Sequence, residues 1–252
     1  MIVTALGSSG GYPEAGRSCS GYLIEEGPTT VLVDLGPGVL ANLQRFRQLS
    51  ELDAILISHL HADHCAEIDL FRVFLNFDGP GLMPMTLIAP EEAPAKISRG
   101  SQAALDEFHQ LYAFSPWEPA SARTIGALTV SCALSAHAEP TFAMRIEGEG
   151  GSVLAYTADT GPSSEVEALA NGADTLIAES TWLDSPEEPG VGHLTAGQAG
   201  EMAHRAGVDS LMLTHFWPGT DREVAVKAAQ ASFDGIVVAA SEGRRHAVRE
   251  VD

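Results

Sequence analysis

Basic residues are scarce in this chain. Lysine and arginine total 14 of 252 residues against 34 aspartates and glutamates, a formal net charge of −20. A nucleic-acid polymer is normally gripped by a basic face, and so few scattered cations do not build one. Long apolar runs are missing as well: a membrane-spanning helix takes about 20 consecutive apolar residues, and no stretch approaches that. The N-terminus lacks the basic start and apolar core of a signal peptide, because Ile2-Val3-Thr4-Ala5-Leu6 runs straight into Gly7-Ser8-Ser9-Gly10-Gly11. A cytoplasmic protein with no membrane partner and no nucleic-acid polymer as partner is the expectation. Cysteine is rare too. Cys19, Cys65 and Cys132 lie far apart and match no zinc-finger spacing. Free, buried thiols are expected, with a metal role left open for Cys65, which directly follows a histidine cluster.

What is present suits one globular domain over residues 1–252, at 45% hydrophobic and 19% charged residues. Short apolar runs predict strands at 2–6, 22–25, 30–34, 54–58, 86–89, 128–133, 142–147, 153–157, 175–178, 211–214 and 236–240. Helical patterns cover 39–49, 66–76, 102–112, 164–170, 196–206 and 222–232. The fifth helix is the clearest: Thr195 and Gln198 form a capping box, Ala199, Met202, Ala203 and Ala206 share a face, and Gly207 ends it. So many strands exceed one ordinary sheet, which predicts two packed sheets with helices outside. Residues 78–84 and 184–192 read as surface loops.

The strongest chemical signal is Ser58-His59-Leu60-His61-Ala62-Asp63-His64, placed directly after a strand. Imidazole nitrogen and carboxylate oxygen suit zinc, and also manganese or iron. At a spacing of two, His59 and His61 point the same way in an extended segment, leaving Asp63 and His64 to face a second point nearby. Ser8 and Ser9 lie in a loop similar to a phosphate cradle, without a P-loop lysine. His109, His204 and His246 read as structural or solvent-facing. Trp182, Phe216 and Trp217 fall just beyond candidate site residues, where packing is the first expectation and base stacking the second.

This pattern resembles the metallo-β-lactamase superfamily of binuclear metallohydrolases, whose fold is a four-layered αββα sandwich. The resemblance continues through His137 in Ser135-Ala136-His137, Asp159 in Tyr156-Thr157-Ala158-Asp159-Thr160-Gly161, and His215 in Leu213-Thr214-His215-Phe216. It implies two divalent metal ions, zinc first. His59, His61 and His137 would hold one, Asp63, His64 and His215 the other, with Asp159 bridging and a metal-bridging hydroxide as nucleophile. Paired cations would also let so acidic a chain bind a phosphate. Glu179 in Ile177-Ala178-Glu179-Ser180-Thr181 and His193 in Gly192-His193-Leu194-Thr195 resemble the glutamate–histidine pair of the ribonuclease Z-like branch. There the histidine serves the leaving oxygen and the glutamate orients it. His193, Glu179 and Asp63 are therefore the implied catalytic residues.

Ribonuclease Z carries a long arm for transfer RNA between its third histidine and its bridging aspartate. Here His137 and Asp159 are only 22 positions apart, an interval that reads as a compact hairpin. The chain looks closest to small proteins of this fold that include the atypical class II cyclic-nucleotide phosphodiesterases of actinobacteria. Hydrolysis of small cyclic nucleotides, 3′,5′-cyclic AMP first, is what this resemblance implies, with a homodimer expected from the habit of the branch. A lactone or thioester hydrolase, a ribonuclease Z-like enzyme and a non-catalytic metal-binding regulator stay open beside it.

Overall fold

In the computed structural model the described residues are 1–79, 81, 83–119, 121–183 and 192–249. Among them, two seven-stranded sheets lie face to face with helices on both outer faces, a four-layered αββα sandwich. The first sheet holds β1 (Ile2–Gly7), β2 (Gly21–Glu26), β3 (Thr29–Val33), β4 (Ala54–Leu56), β5 (Met85–Ala89) and β6 (Tyr112–Pro116). The second holds β7 (Ala122–Ile125), β8 (Leu128–Leu134), β9 (Phe142–Gly148), β10 (Val153–Tyr156), β11 (Thr175–Glu179), β12 (Ser210–Thr214) and β13 (Ile236–Ala239). The last strand, β14 (Arg245–Ala247), returns to the free edge of β1.

Each sheet is antiparallel over one half and parallel over the other. Pairing is antiparallel from β14 to β3 and from β7 to β10, then parallel from β3 to β6 and from β10 to β13. The parallel strands β3, β4 and β11 are buried at every residue, as strands covered on both faces must be. Val31, Leu56, Met144, Leu154 and Ile177 pack between the sheets. Outside the first sheet lie α1 (Val39–Leu43), α3 (Ile68–Phe77), α4 (Ala93–Ser98) and α5 (Gln102–Leu111), with the single turn α2 (Ala62–Cys65) just before α3. Outside the second lie α6 (Ser164–Ala170), α7 (Ala196–Ala206) and α8 (Arg222–Gln230). No helix among the described residues is long and apolar enough to cross a membrane.

All eleven expected strands form, with ends shifted by one or two residues. The capping box of Thr195 and Gln198 and the left-handed Gly207 bound α7 as the sequence predicts. Other expectations need correction. Tyr112 leaves the helix and begins β6, because Met85 to Ala89 offer it a parallel register; tertiary pairing outweighs helical periodicity there. The helix expected over 39–49 stops at Leu43, where Arg45 and Phe46 switch to tighter three-residue bonds. Two edge strands, β7 and β14, escape the pattern because exposed edges carry polar and charged residues instead of apolar alternation. The short α4 escapes it because Pro94 sits in its first turn, a position where proline is tolerated. Of the expected loops, Pro80, Leu82 and residues 184–191 lie outside the described residues.

Candidate metal centre

The C-terminal ends of the parallel strands open onto one rim, and the motif residues emerge there. Ser58 and His59 follow β4, Asp159 follows β10, Glu179 ends β11 and His215 follows β12. His137 lies three residues beyond β8, which is antiparallel to β9 as β10 is and so ends at the same rim. Three non-glycine residues beside this rim, Asp34, Ala158 and His215, have φ of 58°, 50° and 53°. Left-handed backbone of this kind is retained where the surrounding structure holds side chains in a required direction.

The donor atoms converge in two groups. In the first, His59 Nε2 lies 3.0 Å from His61 Nδ1, His137 Nε2 lies 3.2 Å from the same atom, and Asp159 Oδ2 lies 3.6 Å from His59 Nε2. In the second, Asp63 Oδ2 lies 3.6 Å from His64 Nε2 and 3.2 Å from His215 Nε2. Asp159 Oδ1 joins the two, 3.2 Å from His64 Nε2 and 3.4 Å from His215 Nε2. That oxygen is buried with no hydrogen bond of acceptable geometry among the described residues. A buried, unpaired carboxylate oxygen facing imidazole nitrogens is costly unless a cation completes it. The donor set, five imidazoles and three carboxylate oxygens from Asp63 and Asp159, thus fits divalent metal. Cys65 stands apart, its Sγ donating to His61 O at 3.2 Å, and burial pushes its thiol up to about 11. No metal role falls to it.

The far nitrogens of the rings are engaged as well, which fixes their orientation. His59 Nδ1 meets Ser58 Oγ at 3.1 Å, His64 Nδ1 meets Asp34 Oδ2 at 2.8 Å, His137 Nδ1 meets Gly192 O at 3.0 Å, and His215 Nδ1 meets Thr181 Oγ1 at 2.9 Å. Partners of this kind orient metal-binding imidazoles and raise their basicity. Burial drives the pKa of His59 well below the ordinary histidine value, aided by the neighbouring His64. Burial also opposes charge on His64, but Asp159 and Asp34 outweigh it and hold that imidazole well above its ordinary value. Asp63 resists its own burial through the hydrogen bond from His215 and stays below the usual carboxylate range.

Asp34 is the residue the sequence reading missed. Fully buried, it accepts from Ser58 N at 2.7 Å, Ser58 Oγ at 2.9 Å, Tyr156 Oη at 2.8 Å and His64 Nδ1 at 2.8 Å. Its signal is an acid at the C-terminal end of an apolar strand, a position shared with Asp159 and Glu179, which were identified by resemblance. Asp34→Asn should keep the fold but lower metal affinity by about 10–100-fold, since it weakens the hold on His64 without removing a donor atom of the cluster. Competition against a calibrated chelator checks this, and unchanged affinity would place Asp34 in folding alone.

Glu179 and His193, 14 residues apart, meet with Glu179 Oε1 2.7 Å from His193 Nδ1. Glu179 is buried and also accepts from Thr160 N, Thr181 N and Thr181 Oγ1 at 2.9, 3.2 and 2.7 Å. Burial pulls the His193 pKa down, yet the hydrogen bond and charge of Glu179 carry it above the ordinary value. His193 stacks on His215 at 5.4 Å, and its donor atom falls within 4.8 Å of those of Asp159 and His215. The glycine-rich loop after β1 is no phosphate cradle: Ser8 Oγ donates to Glu242, and Gly11 N donates to Asp63 Oδ2 at 2.7 Å. Gly10 is required there, since a Cβ would stand 2.6 Å from the His215 ring. His109 and His204 lie exposed on α5 and α7, and His246 lies on β14, all away from the cluster.

A two-sheet αββα fold with an imidazole–carboxylate cluster at the strand ends defines a metallohydrolase. Comparison with known proteins agrees. A family profile described as the beta-lactamase superfamily domain matches residues 29–216, and the chain belongs to that superfamily. It is 35% identical over 240 residues to the uncharacterized protein Rv1339 of Mycobacterium tuberculosis, covering 93% of this chain and 88% of that one. It is 30% identical over 254 residues to the probable metallo-hydrolase YhfI of Bacillus subtilis, covering 96% and 98%. The crystal structure of YhfI superposes with a TM-score of 0.88 over 98% of this chain and 99% of that one, at 27% identity. A ribonuclease Z of Mycobacterium bovis is 27% identical over 253 residues, 86% of each chain. The chain is a hydrolase of this superfamily.

Proposed function

We propose that the chain is a phosphodiesterase for small 3′,5′-cyclic nucleotides, cyclic AMP foremost, working with two divalent cations, zinc first. His59, His61 and His137 would hold one cation, Asp63, His64 and His215 the other, with Asp159 shared. Such a pair, when bound, supplies Lewis acidity and water of lowered pKa. The remaining chemistry belongs to the chain. His193 donates Nδ1–H to Glu179 and turns Nε2 toward the cluster, where it delivers a proton to the ribose 3′-oxygen as the P–O3′ bond breaks. The product is a 5′-monophosphate.

The observation that carries this reading is the Glu179–His193 pair set beside the donor cluster. A thioester expels a thiolate that departs without a proton and has no need of a positioned acid, whereas an alkoxide leaves phosphorus slowly without one. A lactone also expels an alkoxide and is separated by the substrate panel below. Polymeric RNA is disfavoured by the β9–β10 hairpin. It fills the interval between His137 and Asp159 with a short turn at Gly148 to Ser152 and no basic arm. With a net charge of −20, little phosphate neutralisation is on offer beyond the cluster itself.

A substrate panel tests the proposal: cyclic AMP, cyclic GMP, bis(p-nitrophenyl) phosphate, an acyl-homoserine lactone and a glutathione thioester, each with metal-loaded protein. Turnover of the cyclic nucleotides is expected to dominate. Cleavage of the acyl substrates with no phosphodiester turnover would overturn it.

A further inference from the structure

Phe216 shows what packing looks like beside this site: it is 2% exposed, with the Arg222 guanidinium 4.5 Å over its ring. Its neighbour Trp217 is different. Trp217 is 42% exposed and Tyr12 is 52% exposed, large for aromatic residues that touch other aromatics. Trp182 stacks against Trp217 with centroids 5.4 Å apart and planes 29° from parallel, while Tyr12 meets Trp217 edge-on at 5.7 Å. Trp182 in turn approaches His193 edge-on at 6.5 Å. Three rings from three separate segments thus form a continuous surface that ends at the proposed acid.

The surface is held in place by backbone. Gly10 N donates to Phe216 O at 2.9 Å, and Phe216 N donates to Ser8 O at 2.9 Å, lacing the first loop to the segment after β12. Gly11, at φ 74°, packs close to Trp217, where an added Cβ would come within 3.1 Å of the six-membered ring of the indole. Gly11 N is anchored in turn to Asp63. A half-exposed indole fixed this firmly is preorganised to receive a flat partner, because its ordering cost is already met in the folded chain.

We propose that Tyr12, Trp182 and Trp217 form a nucleobase subsite, with Trp217 the surface that a purine covers when the phosphate lies at the donor cluster. The proposal rests on the phosphodiesterase reading and extends it from reaction to specificity. Stacking on an aromatic face recognises the π-surface of a base and tolerates differences in its edge. A purine, with two fused rings, covers more of the indole than a pyrimidine does. Selection for nucleotides over simple phosphate esters would therefore come from here, and discrimination between adenine and guanine would be modest.

The test uses the metal-loaded full chain and compares binding of adenosine 5′-monophosphate with ribose 5-phosphate, which lacks the base, by calorimetric titration. The wild type should prefer the nucleotide by about 5- to 150-fold, the range expected for one stacked base. Trp217→Ala should bring that ratio close to one, Trp217→Phe should keep part of it, and Tyr12→Ala should lower it by less than Trp217→Ala. Metal content and thermal melting accompany each variant, and the exposed Tyr12 supplies a second probe should Trp217→Ala unfold. Equal binding of the two ligands by the wild type, or a preference untouched in Trp217→Ala and Tyr12→Ala, would overturn the subsite. Hydrolysis of cyclic AMP without any base preference would sink the subsite alone. A base preference without cyclic-nucleotide hydrolysis would sink the phosphodiesterase reading alone.

Discussion

His59→Ala should lose bound metal and turnover together, with turnover down by at least about 10³-fold, the order expected when several kcal/mol of charge stabilisation is removed. Elemental analysis of the wild type should find close to two divalent ions per chain. The geometry gives the reason for so large an effect. His59 is fully buried, and its Nε2 faces both His61 and Asp159. Its depressed pKa keeps the imidazole neutral and ready as a donor. Asp159→Asn should be as damaging for turnover, because Asp159 faces both halves of the cluster. Since donor groups must be deprotonated, and Asp159 and Asp34 hold the His64 imidazole above its ordinary value, metal affinity should fall as pH drops through that raised value, above the usual histidine range. A fully active, metal-free preparation of the wild type would contradict the assignment.

The His59 to His64 cluster was legible in the residues themselves, while His137, Asp159, Glu179, His193 and His215 were identified by resemblance, and their positions have a physical reason. Parallel strands are buried on both faces, so a polar residue at the end of an apolar run stands out, and the fold brings those ends to one rim. His59, Asp159, Glu179 and His215 all carry that mark. The meeting of Glu179 with His193 could not be read from spacing, because a 14-residue separation across a loop has no periodicity. It came from resemblance, and the 2.7 Å contact agrees with it. Asp34 ends the predicted strand 30–34, but no motif around it, before Leu35-Gly36-Pro37, marks it as more than a strand end. Only the fold shows that Ser58, Tyr156 and His64 all point at it. Trp182 and Trp217 stood out by following Glu179 and His215, but Tyr12 lies at the other end of the chain, and no local pattern joins it to them.

His193→Ala should keep both metals yet lower cyclic AMP turnover by about 10²–10⁴-fold, the usual contribution of a positioned acid or base. His193 comes within reach of Asp159 and His215, so geometry alone admits it as a further metal donor. Its Nδ1 hydrogen bond to a buried carboxylate is compatible with either role, and metal content is what separates them. A donor variant loses ions and all activities at once. An acid variant keeps its ions and shows a substrate-dependent defect, small for a p-nitrophenyl ester, whose phenolate departs without a proton, and large for a ribose 3′-oxygen. Glu179→Gln should imitate this mildly, because the amide keeps a hydrogen-bond acceptor for Nδ1–H but removes the charge that favours the imidazolium. The sign of the pH effect follows. Protonated His193 is the working form, so activity declines as pH rises through its pKa, and losing the Glu179 charge should move that decline to lower pH. Equal losses on both substrates with full metal retention would mean that His193 positions the phosphate and does not protonate the leaving oxygen.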